Sequence, residues 1–385
     1  MGKFKTTLVC CLSVAMLAGC GGKSDSEESN KIKIGSNYEL TGEVAEYGQA
    51  SVNGIKLAVK EINAKGGIDG KKIDLISLDN KSTSDEAISI ATRLATEDEV
   101  TAMMGPATSG NFKAAVSIAN EYKVPVVSAS ATDDAATLNK DGSTAKFGFK
   151  TCFSDTVQGT VGANKANELG KTKAIIYKDS KSEYAKGLAK AFATKFESLG
   201  GTIVQEEAYV AGDTEFSSII TKIKDKDFDV LYIPGYYNEV GKIIKDARTA
   251  GIKQTIIGAD GFDAPGLVDK AGKEALNDVY FTTHFSTKED DKLVSSFVES
   301  YKKEYKEQPG AFAALGYDMV YFLKDGIEKA GSTKPADVAK QLAKTKGFKG
   351  VTGKFSIDKT HAPVKTIKFI ELVNGEQTNI QNVQP

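Results

Sequence analysis

The chain has 385 residues, 41% hydrophobic and 26% charged, and its 50 basic and 51 acidic side chains give a formal charge of −1. That length exceeds one compact domain and suits two, and the balance is ordinary for a water-soluble fold. With no basic excess and no acidic tail, nucleic acid is not an expected partner.

At the N-terminus, Lys3 and Lys5 precede an uncharged apolar stretch from Thr6 to Ala18, which ends in Leu17-Ala18-Gly19-Cys20. The run is shorter than the ~20 residues that span a bilayer. Small residues before a cut suit a signal peptidase. A cysteine at the first position after the cut resembles the lipobox of bacterial lipoproteins, and all four positions match. The expectation is a signal peptide over 1–19 and an extracytoplasmic chain held at the outer face of the cell membrane by lipid on Cys20. The simpler alternative is an ordinary signal peptide. Gly21 to Asn30 carries no apolar side chain, so residues 20–30 read as a flexible tether. Cys10 and Cys11 leave with the signal, so Cys152 is the one cysteine of the folded part and no disulfide can form within it. It follows an apolar β-like run and reads as a buried structural thiol.

From Lys31 onward, short β-branched runs alternate with amphipathic segments. Lys31–Gly35 reads as a strand, Gln49–Ala64 as a helix, Ile73–Leu78 as a strand and Asp85–Thr96 as a helix. Val100–Met104, Phe112–Tyr122 and Val124–Ser128 continue the alternation. The pattern restarts with strands at Ala174–Tyr177, Thr202–Val204, Val230–Ile233 and Thr255–Gly258. Helices at Gly187–Leu199, Phe216–Ile223 and Val240–Ala250 lie between them. Two such βαβα runs predict two doubly wound parallel sheets. Ligands bind such sheets outside the carboxyl ends of the strands.

Catalytic and metal chemistry is poorly represented. There are two histidines, His284 and His361, and no Cys/His cluster with zinc spacing. No P-loop, dinucleotide fingerprint or nucleophile elbow is present. No metal, cofactor or catalytic set is expected, although carboxylates are plentiful enough that a carboxylate hydrolase stays open.

The strand ends are more informative. Gly105-Pro106-Ala107-Thr108-Ser109-Gly110-Asn111 leads into a helix whose N-terminus would favour an anion. Ser128-Ala129-Ser130-Ala131-Thr132 is a small, hydroxyl-rich loop. A plain helix cap is the commoner role for any one of these residues, and two such loops in one half favour an anion site. In the second half, Tyr184, Gly235-Tyr236-Tyr237 and Ala259-Asp260-Gly261 follow strands. A carboxylate there could pair with an ammonium group, and tyrosines could cover an apolar side chain. Turn, cap and core-filling roles are the alternatives. Anion donors in one half and an acid in the other suit a zwitterion such as an α-amino acid.

Tyr38-Glu39-Leu40-Thr41-Gly42 through Val44-Ala45-Glu46-Tyr47-Gly48, Glu61 to Ile68, Tyr184 to Leu188, Gly235 to Glu239, Gly310-Ala311-Phe312 and Gly316-Tyr317-Asp318 together resemble the branched-chain amino acid-binding proteins of bacterial ABC importers. The resemblance covers nearly all of residues 31–375. It implies a type I periplasmic-binding fold, in which two doubly wound parallel-sheet lobes are joined by a three-segment hinge. One lobe would comprise 31–152 and 284–362, the other 153–283 and 363–385. It further implies that Ser109 and Thr132 hold a ligand carboxylate with backbone help from Ala107 and Ser130. Asp260 would hold the ammonium, and Tyr47, Tyr184 and Tyr236 would line the pocket. Some family members carry glutamate where Asp260 stands, so the ammonium here would sit deeper or reach its carboxylate through water. The expected protein is a monomeric, non-enzymatic receptor that binds an aliphatic, branched-chain amino acid and presents it to ABC importer permease subunits. Binding of another amino acid or a small amide, or a sensory role with a partner, is the alternative.

Overall fold

The computed structural model describes residues 1–2 and 30–384. The expected signal peptide, Cys20 and the tether up to Ser29 lie outside the described residues, apart from Met1 and Gly2.

The first sheet is built from β1 (Lys31–Tyr38), β2 (Lys72–Asp79), β3 (Ala102–Met104), β4 (Val126–Ser128) and β5 (Gly148–Lys150). Its order is β2-β1-β3-β4-β5 and every pair is parallel. The helices α1 (Ala45–Ala64), α2 (Ser84–Thr96) and α3 (Ser109–Tyr122) make the crossovers. β3 and β4 are buried throughout, as strands covered on both faces must be. β2 at the edge buries little more than Ile73.

The second sheet contains β6 (Lys173–Asp179), β7 (Thr202–Tyr209), β8 (Val230–Tyr232), β9 (Thr255–Ile257), β10 (Val279–Thr283), β14 (Ile367–Val373) and β15 (Glu376–Val383). Its order is β15-β14-β10-β9-β8-β6-β7. Crossovers run through α4 (Asp155–Glu168), which precedes β6, and then α5 (Glu183–Ser198), α6 (Ser217–Ile223), α7 (Tyr237–Thr249) and α8 (Pro265–Ala271). It departs from the expected all-parallel sheet at one edge, where β14 runs antiparallel to β10 and β15 antiparallel to β14. β14 enters from the small sheet that precedes it in the chain. A two-residue turn, Asn374-Gly375, with φ of 50° and 74°, the conformation a tight hairpin needs, returns the chain as β15.

The remaining helices are α9 (Lys292–Tyr305), α10 (Ala311–Ala330) and α11 (Pro335–Leu342), followed by a small sheet of β11 (Phe348–Gly350), β12 (Gly353–Ile357) and β13 (Pro363–Val364). α10 packs along α1 of the first body. The chain therefore passes between the two bodies three times: after β5, after β10, and between β13 and β14. Lys150, fully buried at the first crossing, donates Nζ–H to the carbonyls of Thr132 (3.1 Å) and Asp133 (2.8 Å). Cys152 beside it is buried, with its sulfur 3.3 Å from the Ala131 carbonyl, and burial pushes the thiol up to about 12. It is a buried thiol, as expected.

Most helices begin earlier than the apolar period predicts. α3 starts at Ser109 rather than Phe112, α5 at Glu183 rather than Gly187, and α7 at Tyr237 rather than Val240. Their first turns face the space between the bodies rather than a sheet, so they carry polar and aromatic residues instead of an apolar stripe.

Candidate functional site

These first turns and the strand ends before them converge. Tyr47, Ala107, Thr108, Ser109, Ser130, Tyr184, Tyr236, Asp260, Gly261 and Phe312 surround one small cavity. Seven of the eight sequence-predicted site residues lie in that wall. The eighth, Thr132, lies behind it. Its carbonyl accepts from the Asp155 N–H at 3.0 Å, while its hydroxyl has no hydrogen-bond partner.

On the wall from the first sheet, Ser109 is the first residue of α3. The N–H groups of Ser109, Gly110 and Asn111 have no partner within the helix. Ser109 Oγ accepts from the Asp133 N–H at 3.1 Å, which leaves its own hydrogen to donate. Ser130 Oγ donates to the Ala107 carbonyl at 2.9 Å. The Ala107 N–H donates to Glu39 Oε2 at 2.9 Å, so both backbone groups of Ala107 are engaged and the residue contributes wall surface. Glu39 is fully buried and also accepts from the Thr108 N–H, Thr108 Oγ1 and Asn111 Nδ2. It fixes the loop before α3 and uses the Ala107 N–H, which the resemblance assigned to the ligand carboxylate.

On the wall from the second sheet, Asp260 opens the turn after β9 and is 4% exposed. Its backbone N–H donates to Gln158 Oε1 at 3.1 Å. Oδ1 accepts from the Tyr184 hydroxyl at 2.8 Å, and Oδ2 lies 3.1 Å from His284 Nε2. The Tyr184 oxygen in turn accepts from the Gly261 N–H at 2.9 Å. Tyr236 stacks on Tyr184 with ring centroids 5.1 Å apart. Tyr47 reaches across from α1. Its hydroxyl donates to the Gly261 carbonyl and accepts from the Tyr237 N–H at 3.1 Å, while its ring stacks on Phe312 at 4.2 Å. Burial raises the hydroxyls of Tyr47, Tyr184 and Tyr236 above the ordinary phenol range, so all three remain neutral donors.

Sequence reading assigned no site role to five residues here: Thr108, Gly261 and Phe312 of the wall, and the buried His284 and Asp155. Phe312 at the start of α10 forms part of the wall, although its segment carries part of the family resemblance. His284 is the second donor to Asp260. Asp155, the first residue of α4, is fully buried and neither carboxylate oxygen has a hydrogen-bond partner. Burial pushes its carboxyl well above the usual range, and the nearby Asp260 charge adds to this. One signal was available for Asp155: an acid directly after the first passage between the bodies has no surface to occupy.

No group of three or more His, Cys, Asp or Glu side chains suited to a metal occurs among the described residues. No described helix is long and apolar enough to cross a membrane. The cavity thus offers hydroxyl and helix N–H donors on one side, the Asp260 carboxylate on the other, and aromatic faces between them.

Over residues 31–377 the chain matches the periplasmic binding protein family. It is 33% identical over 330 residues to a Leu/Ile/Val-binding protein of Rhizobium johnstonii, covering 86% of this chain and 88% of that one. Among solved structures, it is similar to the substrate-binding protein of a branched-chain amino acid transporter from Streptococcus pneumoniae, determined with isoleucine. That similarity has a TM-score of 0.87 and 42% identity, over 92% of this chain and all of the other. A leucine-binding protein from Thermotoga maritima superimposes with a TM-score of 0.84 at 32% identity, over 91% of this chain and 99% of that one.

Proposed function

The chain belongs to the periplasmic binding protein family, and from that premise we propose that it is the extracytoplasmic solute-binding component of an ABC importer whose ligand is a branched-chain L-amino acid. It is a binding protein rather than an enzyme. The observation that carries the ligand class is the polarity of the cavity. Ser109 and the α3 N-terminus stand on one wall, while Asp260 stands on the other. A zwitterion with carboxylate toward the first and ammonium toward the second matches both ends. Charge-assisted hydrogen bonds of this kind are each worth about 1.5–3 kcal/mol. The rings of Tyr47, Tyr184, Tyr236 and Phe312 would cover an aliphatic side chain and exclude water.

The lobes would comprise residues 31–152 with 284–362, and 153–283 with 363–385. The three chain crossings support that division. Ligand burial between the lobes would favour the closed arrangement presented to the permease. The chain would act as a monomer tethered by lipid on Cys20.

Calorimetry of the purified protein against the twenty common amino acids tests the ligand. Isoleucine, leucine and valine should give the tightest binding, and no heat with any of them would sink the proposal. For the anchor, wild type should partition with membranes and Cys20→Ser should not. Equal partitioning of the two would refute lipid attachment.

A further inference from the structure

The end of β10 holds the Asp260 turn at three successive residues. Thr282 Oγ1 donates to Gln158 Oε1 at 2.6 Å, the same oxygen that accepts the Asp260 N–H. Thr283 Oγ1 donates to the Asp263 carboxylate. His284 Nε2 meets Asp260 Oδ2 at 3.1 Å. The His284 ring lies flat on Phe153, with centroids 3.6 Å apart and planes within 10°. Its side chain is 1% exposed. Phe153 and His284 belong to two different passages between the bodies, so their stack fixes the direction of Nε2 by clamping the ring where the chain crosses.

A carboxylate can only accept, so the hydrogen resides on Nε2. Nδ1 has no partner among the described residues. An imidazolium would bury a second, unpaired N–H donor there. The charged groups acting on the ring are Asp260, Lys365 and Lys368. Burial pushes the imidazole down to about 4; Asp260 opposes the shift and the two lysines add to it.

We propose that His284 is the positioning residue of the ammonium site: it donates Nε2–H to Asp260 Oδ2 and, with Tyr184 on Oδ1, fixes the plane of the carboxylate that receives the ligand. Each oxygen then keeps lone-pair capacity for an ammonium group. Because the imidazole is neutral, it orients the acid without competing as a second cation. The hinge strand and the ligand acceptor become one mechanical unit. The proposal rests on the reading of Asp260 as the ammonium acceptor.

Two measurements test it. Calorimetry with L-isoleucine would compare wild type, Asp260→Asn, His284→Phe and His284→Gln. The phenylalanine variant keeps the stack and loses the donor, and it should bind about 30-fold more weakly. The glutamine variant restores an N–H donor and should recover most of that loss. Nitrogen-15 imidazole spectra in a His361→Gln background should show His284 as the neutral Nε2–H tautomer from pH 5.5 to 7.5. Wild-type-like binding by His284→Phe, with Asp260→Asn impaired, overturns the role of His284. An Nδ1–H or imidazolium spectrum does the same, and decides alone if the phenylalanine variant does not fold. Unimpaired binding by Asp260→Asn, or no binding by wild type, overturns the reading of the site instead.

Discussion

Asp260 lines the cavity, Asp155 is a second fully buried carboxyl group whose field reaches it, and their surroundings differ. Asp260 receives hydrogen bonds from Tyr184 and His284, whereas Asp155 receives none. An unpaired buried acid costs stability. Asp155→Asn should therefore stabilise the ligand-free protein by about 1–2 kcal/mol and weaken isoleucine binding about tenfold, as read by thermal unfolding and calorimetry. His284 gives a pH signature. Its folded-state value of about 4 lies below its ordinary 6.5, so between these values the unfolded chain binds the extra proton. The stability conferred by the neutral ring is thus complete above pH 6.5 and is lost as pH falls toward 4. By urea unfolding at pH 4.5 relative to pH 7, wild type should lose about 2 kcal/mol more than His284→Gln. Asp263, pushed up to about 6 by burial, acts in the opposite direction over nearly the same range. The variant comparison, rather than the wild-type curve, therefore isolates the histidine.

At the scale of elements, α1 and α10 touch backbone to backbone. A Cβ on Gly54 would lie 1.9 Å from the Ala313 carbonyl oxygen, and one on Gly316 would lie 2.2 Å from that of Ser51. Neither backbone can yield without separating the helices, which carry Tyr47 and Phe312 at their N-terminal ends. Gly316→Ala should cost roughly 3 kcal/mol, at the upper end for overpacking, and should also weaken ligand binding because the two stacked rings move apart. Thermal unfolding and calorimetry would read both effects. The glycines are plain in the sequence, but nothing local pairs position 54 with 313 or position 316 with 51. The helix starts are similar. Lys65-Gly66-Gly67 marks where α1 ends, yet its beginning at Ala45 has no side-chain cap and lies four residues before the apolar period starts. Thr83, which accepts from the Glu86 N–H, marks the start of α2 to within one residue, whereas α5, capped by Ser182, starts four residues ahead of the apolar period and is not read from it.

Across the whole molecule, polar bridges join the two bodies, and two helix-start residues of α1 supply those nearest the cavity. Tyr47 joins α1 to Gly261 and Tyr237, and Glu46 Oε2 accepts from the Gly266 N–H at 2.8 Å. Such bridges exist only when the bodies are together, so they contribute to closure rather than to the fold of either body. Tyr47→Phe retains the stack on Phe312 and removes both hydrogen bonds. Its isoleucine affinity should fall about tenfold, mainly through faster release, because the closed arrangement is less populated. Stopped-flow dissociation rates would show this. An unchanged release rate would mean that Tyr47 only fills space.

Sequence alone determined the alternation of strands and helices, the two parallel-sheet runs and the family. These follow from short-range periodicity, from glycine turns and from residue strings that are contiguous in the chain. It also placed Ser109, Ser130, Tyr184, Tyr236 and Asp260 at strand ends, where a doubly wound sheet exposes its ligands. Only the tertiary structure decided how those residues are partnered. Glu39 uses the Ala107 N–H from 68 positions away, and His284 finds Asp260 only because the chain crosses between the bodies beside Phe153. Asp155 is an ordinary helix-start acid until burial leaves it without a partner. Contacts that close at long range through the hinge have no local signature, and the chemistry of this cavity is made almost entirely of such contacts.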